Sequence, residues 1–212
     1  MNAARSIGGR ARTSRRDAIL EAATRLFAER GFAETGVDDI GEAVGITGPA
    51  VYRHFASKHD LLVAVIERSV RTHDETTARA LAESRGPDDR LAKLVHFTAD
   101  ACIDDRALTA IYWQERRNLP PDARQEIDAL HRRMMDEWAA ALREVRPDLT
   151  GSEARMAVHA ASALLQSVAN RDTSLSRRAL HELLEGMALA ALLTPAPAQH
   201  DGEVAPRAAA GG

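Results

Sequence analysis

The chain has 212 residues, a formal net charge of −3 and 45% hydrophobic residues, so a small domain and a larger one with its own core can both form. No apolar run approaches the roughly 20 residues of a membrane helix, and no apolar segment follows the basic N-terminus, so we expect neither a membrane span nor a signal peptide. A single cysteine, Cys102, excludes an internal disulfide, which is typical of the reducing cytoplasm.

The first predicted segment, residues 1–13, is a flexible basic arm. Residues 1–16 contain five arginines and no acidic residue, although the chain as a whole is negatively charged. A basic arm on an acidic protein favours a local contact with DNA. A solvated tail explains the same charges equally well, so both interpretations stay open.

The rest of the chain is predicted to be almost entirely helical, because alanine and leucine dominate while aromatic and β-branched residues are sparse. Gly31 is the predicted C-cap of the first helix, and Gly86-Pro87 breaks the chain after the fourth. Residues 194–212 are rich in Pro, Ala and Gly and are predicted to be a disordered tail. The predicted helices cover about 14–30, 37–44, 47–55, 58–84, 88–104, 106–118, 121–146, 151–170 and 176–193.

Residues 37–62 read VDDIGEAVGITGPAVYRHFASKHDLL and hold two short helices joined by a glycine turn. Gly45 supplies the left-handed backbone that a tight turn needs. Thr47 is predicted to cap the second helix by accepting from N–H groups of its first turn, where Pro49 is tolerated. This arrangement predicts a helix-turn-helix, whose second helix enters the major groove of DNA.

Residues 14–62 resemble the DNA-binding domain of the TetR family of bacterial regulators. The motifs that carry the resemblance are LFAERGF, the T-x-V-x-x-I-x-x-x-x-G-I-T run and VYRHFASKHDLL. The resemblance implies an all-α fold, with a three-helix helix-turn-helix domain at 14–60 and a helical effector-binding and dimerisation domain at 61–193. It also implies a cytoplasmic, nucleoid-associated repressor that binds palindromic double-stranded DNA as a homodimer.

The resemblance assigns DNA contacts by position. Tyrosine and threonine hydroxyls and a lysine ammonium donate to phosphate oxygens and fix the register of the protein on the duplex. Lys58 also lies at the start of the fourth helix, where the helix dipole attracts an anion. The phosphate contacts are expected at Thr35, Tyr52, His54 and Lys58, and the base-reading surface is expected at Thr47, Gly48, Pro49, Ala50 and Arg53.

Two features depart from the family pattern. Gly36 stands where the family more often has a Ser or Thr that caps helix two, and glycine caps less firmly. Gly48, Pro49 and Ala50 offer only apolar contacts, for example to thymine methyl groups. Hydrogen-bonded base reading is therefore expected from Thr47, from Arg53 and from the arm.

The last two predicted helices carry small and apolar residues along one face. Residues 151–170 are rich in alanine, and residues 179–193 combine leucine with glycine, methionine and alanine. Small residues allow helices to approach closely and to form a bundle with the same pair from a second chain. A core within one chain explains the pattern as well, and different faces can serve both purposes.

An effector pocket is predicted between helices 88–104, 106–118 and 121–146. Aromatic and methionine side chains recur there at helical spacing, which suits a small, mainly apolar ligand. Glu115 and His131 are the expected polar anchors. Ordinary core packing explains the same stripe. The predicted lining is Phe97, Tyr112, Glu115, His131, Met134 and Trp138.

No catalytic or metal-binding motif is found in the sequence. Eight histidines are present, but none forms H-E-x-x-H or a Cys/His cluster. Phosphate-binding glycine loops and a nucleophile elbow are absent too. We therefore expect no enzyme, no metal site and no cofactor. The alternative function is a helical protein–protein adaptor, which accounts for the all-α layout but not for the YRHF segment or the arginine arm.

Overall fold

The computed structural model describes residues 14–170 and 173–195, and every regular element in these ranges is a helix, which confirms the all-α prediction. The predicted arm at 1–13 lies outside the described residues, as does the predicted tail from residue 196 onward. None of the described helices combines the length and the apolar composition that crossing a membrane requires. The described α-helices are α1 (Arg15–Glu34), α2 (Val37–Ala43), α3 (Gly48–Val51), α4 (Lys58–Glu83), α5 (Pro87–Asp104), α6 (Arg106–Glu115), α7 (Pro121–Val145), α8 (Gly151–Gln166) and α9 (Arg177–Leu193).

Helix α1 begins at a capping box and bends near its end. The Ser14 hydroxyl accepts from the Asp17 N–H at 3.1 Å, and the Asp17 carboxylate accepts from the Ser14 N–H at 3.3 Å. Gly31 has φ +83°, as a glycine C-cap would. The predicted end at residue 30 is nevertheless wrong, because helical backbone resumes after Gly31 and places Phe32 in the core against Phe27.

Helices α2 and α3 approach each other closely through two glycines. A Cβ at Gly41 would lie 2.8 Å from the Ile46 carbonyl oxygen, and a Cβ at Gly48 would overlap the Asp38 carboxylate. Gly45, with φ +71°, makes the turn between the helices. These three glycines therefore allow α2 and α3 to pack as closely as they do in the helix-turn-helix.

Two apolar clusters share helix α4. Its first half, including Leu62 and Val65, packs on α1–α3 and on Tyr112 of α6. Its last turns, including Ala80, pack with α5, α7, α8 and α9 around Trp138. The first cluster runs across residue 60, so the predicted domain boundary at that position stays a prediction.

The ends of two C-terminal helices differ from the prediction. Helix α6 ends at Glu115 and α8 at Gln166, and each continues as a 3₁₀ turn, Arg116–Asn118 and Ser167–Asn170. Such tightening of the last turn satisfies carbonyl groups that an α-helix leaves unpaired at its end. The predicted elements are present, and their last turns are wound more tightly.

Candidate DNA-binding surface and effector cavity

The segment after the glycine turn presents a continuous exposed surface. Thr47, Pro49, Arg53 and His54 are exposed, and the Tyr52 side chain is 51% exposed. A tyrosine that is half-exposed contributes little to core packing, and its hydroxyl is accessible to a phosphate group of DNA. Ala50 is half-buried at the edge of the same surface.

Two residues of the predicted base-reading surface are placed differently from expectation. Gly48 is buried against Asp38, so its lack of a side chain serves the packing of α3 on α2. Thr47 is the N-cap of α3, but its side chain makes no capping hydrogen bond. The predicted cap position is therefore present without the predicted side-chain hydrogen bond, and the exposed hydroxyl of Thr47 is open to solvent.

The Thr35 hydroxyl is not at the surface. Thr35 is fully buried, and its hydroxyl donates to the Gly31 carbonyl oxygen at 2.8 Å and to the Leu26 carbonyl oxygen at 3.2 Å. These bonds satisfy carbonyls beside the α1 bend. A phosphate contact through this hydroxyl would require a rearrangement, which corrects the simple expectation for Thr35.

Lys58 connects the start of α4 to the end of α1. Its ammonium donates to the carbonyl oxygens of Phe32 at 2.7 Å and Thr35 at 2.9 Å, and it lies 4.3 Å from the centroid of the Phe32 ring. A third carbonyl oxygen, that of Ala33, lies 3.4 Å away. An ammonium has three donors, so the phosphate role predicted for Lys58 competes with this capping role.

The two arginines at the start of α1 pack onto the domain. The Arg15 guanidinium donates to the Val44 carbonyl oxygen at 3.0 Å, at the end of α2. The Arg16 guanidinium lies 4.6 Å from the centroid of the Phe55 ring. The remaining arginines of the predicted arm lie outside the described residues.

Helix α2 has a replacement for the weak Gly36 cap. The Gly36 N–H donates to the Asp39 carboxylate at 2.8 Å, and no side chain caps the first turn of α2 from the Gly36 position. Asp39 also favours the positive end of the helix dipole. The departure from the family pattern is thus partly compensated within α2.

A cavity lies where α4, α6 and α7 meet the end of α8. It has about 20 Å³ of open space, room for roughly one water molecule. Trp113 closes one side: its ring is half-exposed, and its indole N–H donates to the Gln166 side chain. The lining residues are Ser69, Val70, His73, Thr109, Tyr112, Trp113, His131, Met134 and Gln166.

Three of the six predicted effector residues do not line this cavity. Trp138 is fully buried and donates to the Thr77 hydroxyl at 3.2 Å, so it is part of the core. Phe97 lies on α5 with the Arg79 guanidinium 4.2 Å from its ring centroid. Helix α5 faces the other apolar cluster, so it contributes no lining residue.

Glu115, the third of these residues, points towards the DNA-binding helices. It is buried, and its Oε1 accepts from the Phe32 N–H at 2.9 Å, just after the α1 bend at Gly31. Its Oε2 accepts from the Asn118 side-chain amide at 2.6 Å. The inward orientation predicted for Glu115 is present, but its carboxylate connects α6 to α1.

The cavity contains a polar atom without a partner. The buried Nε2 of His131 has no hydrogen-bond partner among the described residues, and its ring stacks on Tyr112 at 5.4 Å with an interplanar angle of 24°. Burial lowers the pKa of His131 to about 4, with the neighbouring His159 and His73 adding to the effect. Burial also lowers the pKa of His73 and raises that of Tyr112 to about 12.

Sequence reasoning found His131 but missed the other polar side chains of this lining. Ser69 and His73 are one turn apart on α4, and α4 was interpreted only as the link between the domains. The sequence did contain a signal for His73: helical spacing places Val70 and His73 on the same face of α4 as its buried leucines, so an inward orientation of His73 could have been predicted. Gln166 gave no comparable signal, because its position depends on how α8 packs beside α6.

Two family models match the chain and together span more than half of it. The model described as "Bacterial regulatory proteins, tetR family" matches residues 19–65. The model described as "Tetracyclin repressor-like, C-terminal domain" matches residues 84–171. The first range contains the helix-turn-helix, and the second contains most of the helices around the cavity.

Curated relatives are transcriptional regulators. The transcriptional activator FasR of Mycolicibacterium smegmatis is 34% identical over 89 residues, which are 42% of this chain and 41% of FasR. The transcriptional repressor KstR2 of Mycobacterium tuberculosis is 29% identical over 143 residues, which are 64% of this chain and 72% of KstR2. The chain thus spans less than half the length of FasR. Both relatives are named as regulators of transcription, the class of protein that the motifs of residues 14–62 indicate.

Solved structures share the whole arrangement of helices. The structure of the ketosteroid transcriptional regulator KstR2 has a TM-score of 0.74 at 22% identity and covers 88% of this chain and 97% of its own. The structure of AibR in complex with isovaleryl coenzyme A and operator DNA has a TM-score of 0.70 at 21% identity, covering 82% and 97%. A helix-turn-helix joined to a larger helical domain is the architecture of a class of DNA-binding regulators. This chain belongs to the TetR family of bacterial transcriptional regulators.

Proposed function

We propose that this protein is a dimeric repressor that binds a palindromic operator and leaves it when a small, mainly apolar effector enters the cavity. The observation that carries the proposal is the set of exposed side chains on and just after the second helix of the helix-turn-helix, namely Thr47, Pro49, Tyr52, Arg53 and His54. Such a regulator acts on chromosomal DNA, which agrees with a cytoplasmic, nucleoid-associated location.

The uncovered faces of α8 and α9 support a dimer. Four large apolar side chains on these two helices are between 46% and 70% exposed in the single chain. Small residues, including Gly186 and Ala190 on α9, are exposed between them, so a second pair of helices can approach closely. A contiguous exposed apolar patch marks an interaction site. The four large side chains are Met156, Leu183, Met187 and Leu193.

A two-fold dimer explains why the operator would be palindromic. Each chain supplies one reading helix, and two-fold symmetry places the two reading helices about 34–36 Å apart, one turn of DNA. Arg53 is the side chain suited to hydrogen-bonded base reading, and Tyr52 and His54 are suited to phosphates.

The small size of the cavity supports release by an effector. A ligand larger than water enters only if Trp113 and its neighbours move, so it binds a second arrangement of α6 better than the first. Tyr112 and Trp113 offer aromatic faces, and Nε2 of His131 offers a polar anchor. Helix α6 contacts α1 through Glu115 and Phe32, so its movement changes the position of the DNA-binding helices.

Sequencing of the genomic DNA fragments that the purified protein enriches tests operator binding. The proposal expects fragments that share an inverted repeat, and it expects Arg53→Ala to change the enriched sequence. A protein that enriches no DNA at low salt would instead support the helical adaptor.

A metabolite screen on the operator complex tests effector release. The readouts are displacement of labelled operator and tryptophan fluorescence, to which Trp113 beside the cavity and Trp138 in the core both contribute. Tyr112→Ala should weaken the response to an active metabolite, whereas Phe97→Ala, outside the cavity, serves as the control. Equal responses in both variants would place the effector site elsewhere.

A further inference from the structure

Helices α5 and α9 bring together two pairs of residues that the sequence keeps far apart. His96 and Asp100 lie one turn apart on α5, and His181 and Glu185 lie one turn apart on α9. Residues at this spacing share a face of a helix. The ligand atoms that His96, His181 and Glu185 offer all lie within 4.8 Å of one another. We propose that this cluster is a binding site for a divalent transition-metal ion of the Zn²⁺ type.

The distances suit three ligands of one ion. Nδ1 of His96 lies 3.0 Å from Oε1 of Glu185, and Nδ1 of His181 lies 3.5 Å from Oε2 of the same carboxylate. Ligands about 2.0–2.1 Å from a tetrahedral Zn²⁺ ion are about 3.3 Å apart. The two imidazole–carboxylate distances are thus close to this value, and all three ligand atoms lie within 4.8 Å of one another.

The opposite ring nitrogens face a second carboxylate. Nε2 of His181 lies 3.4 Å from Oδ1 of Asp100 and 3.2 Å from the His96 carbonyl oxygen. Nε2 of His96 lies 3.7 Å from Oδ2 of Asp100. A metal-bound histidine typically donates its other N–H to a carboxylate or carbonyl, which fixes the ring and its tautomer. The His96 carbonyl oxygen is at hydrogen-bond distance for this role at His181, and the Asp100 carboxylate lies near both rings.

Asp100 is itself held in place by a cation. The Arg177 guanidinium donates to Oδ1 of Asp100 at 2.8 Å and to the Asp104 carboxylate at 2.7 Å. Arg177 begins α9, so it fixes the registry between α5 and α9 beside the cluster. The proposed ion adds a second connection between the same two helices, one turn further along α9.

The cluster is open enough for a metal ion to enter. His181 is buried, while the His96 side chain is 45% exposed and the Glu185 side chain 27% exposed. Imidazole and carboxylate ligands suit Zn²⁺ and its first-row neighbours. Three protein ligands leave a fourth position for solvent. The expectation of no metal site rested on sequence motifs, and the two pairs of this cluster are 85 residues apart.

Zn²⁺ titration of the full-length, untagged protein tests the proposal. The chelator-stripped chain competes with a chromophoric chelator, and we expect one strongly bound Zn²⁺ per chain. His96→Gln and Glu185→Gln should each lower the affinity by more than the roughly 10–100-fold expected for Asp100→Asn, which removes only the orienting carboxylate. Zn²⁺ should also raise the Tm of the parent chain but not that of His96→Gln.

Two matched controls separate this cluster from the other histidines and acids. Glu182→Gln alters an exposed acid on the same helix that pairs with Arg178, and His159→Gln alters an exposed histidine on α8. Both should bind Zn²⁺ as the parent does, and melting in the presence of chelator verifies that each variant folds. Absence of Zn²⁺ binding by the parent, or unchanged affinity in both His96→Gln and Glu185→Gln, would overturn the proposal.

Discussion

The Glu115–Phe32 hydrogen bond is predicted to carry mechanical coupling between the effector domain and the DNA-binding domain. Its acceptor is a buried carboxylate at the end of α6, and its donor is the backbone N–H that follows the bend of α1. Glu115→Ala leaves this N–H buried without a partner. Such a loss costs about 1–3 kcal/mol.

The assay compares Glu115→Ala with Asn118→Ala. Asn118 donates to the other carboxylate oxygen of Glu115 and is half-buried, so its removal breaks one hydrogen bond of Glu115 but leaves the Phe32 N–H paired. Urea unfolding gives the free energy of unfolding, and hydrogen exchange follows the Phe32 amide. In Glu115→Ala this amide should exchange roughly 5–150-fold faster, which corresponds to 1–3 kcal/mol of local opening.

The same variant should respond less to an effector. In the parent, an effector found by the operator-release screen should lower operator affinity by about 5–150-fold, the range typical of allosteric coupling. In Glu115→Ala the effector should lower operator affinity by a smaller factor than in the parent, whereas in Asn118→Ala the factor should equal that of the parent. The reasoning is refuted if Glu115→Ala is as stable as Asn118→Ala, exchanges the Phe32 amide at the parent rate and keeps the full effector response.

Three further predictions concern the reading surface, the arm and the cavity. Arg53→Ala should change the base preference of the protein in a binding assay on operator variants. Tyr52→Phe should instead weaken binding to every operator sequence by a similar factor. An unchanged base preference in Arg53→Ala rejects the base-reading role of Arg53. Deletion of residues 1–12, which leaves the Ser14 cap in place, should weaken operator binding at low salt with an unchanged circular dichroism spectrum; equal affinity at every salt concentration would make the arm a passive tail. Because burial lowers the pKa of His131 to about 4, the contribution of His131 to the free energy of unfolding should be complete above about pH 6.5 and should decrease towards pH 4, by at most about 1.4 kcal/mol per pH unit. His131→Gln should reduce this loss in urea unfolding at pH 7 and pH 5, and an identical loss in the variant would contradict the assignment.

Local sequence signals predicted the helices well. Breaks at Gly86-Pro87 and Pro120-Pro121 fixed the starts of α5 and α7 to within one residue, because proline is tolerated in a first turn but not inside a helix. The end of α1 was missed because a glycine with positive φ resembles a C-cap. The burial of Phe32, which continues the helix, depends on contacts with Phe27 and His59.

The site was predicted less completely, for a physical reason. Side chains within one short segment, such as Tyr52 and Arg53 directly after α3, could be placed on the exposed surface from spacing alone. Residues whose role depends on a distant partner could not. Glu115 was expected to meet an effector because its partner, the Phe32 N–H, belongs to a helix 83 residues earlier in the chain. Trp138 was assigned to the pocket because helical spacing does not distinguish a cavity wall from a filled core.

The stoichiometry of the operator complex tests the central claim most directly. Sedimentation of the protein with a duplex carrying the enriched inverted repeat should show two chains bound to one duplex. Operator affinity should also fall steeply as salt rises, because phosphate contacts release counterions. Substitution of Met187 by Glu on the exposed face of α9 should yield monomers that bind the duplex far more weakly. A single chain per duplex, or affinity that does not change with salt, would contradict a dimeric operator-binding regulator.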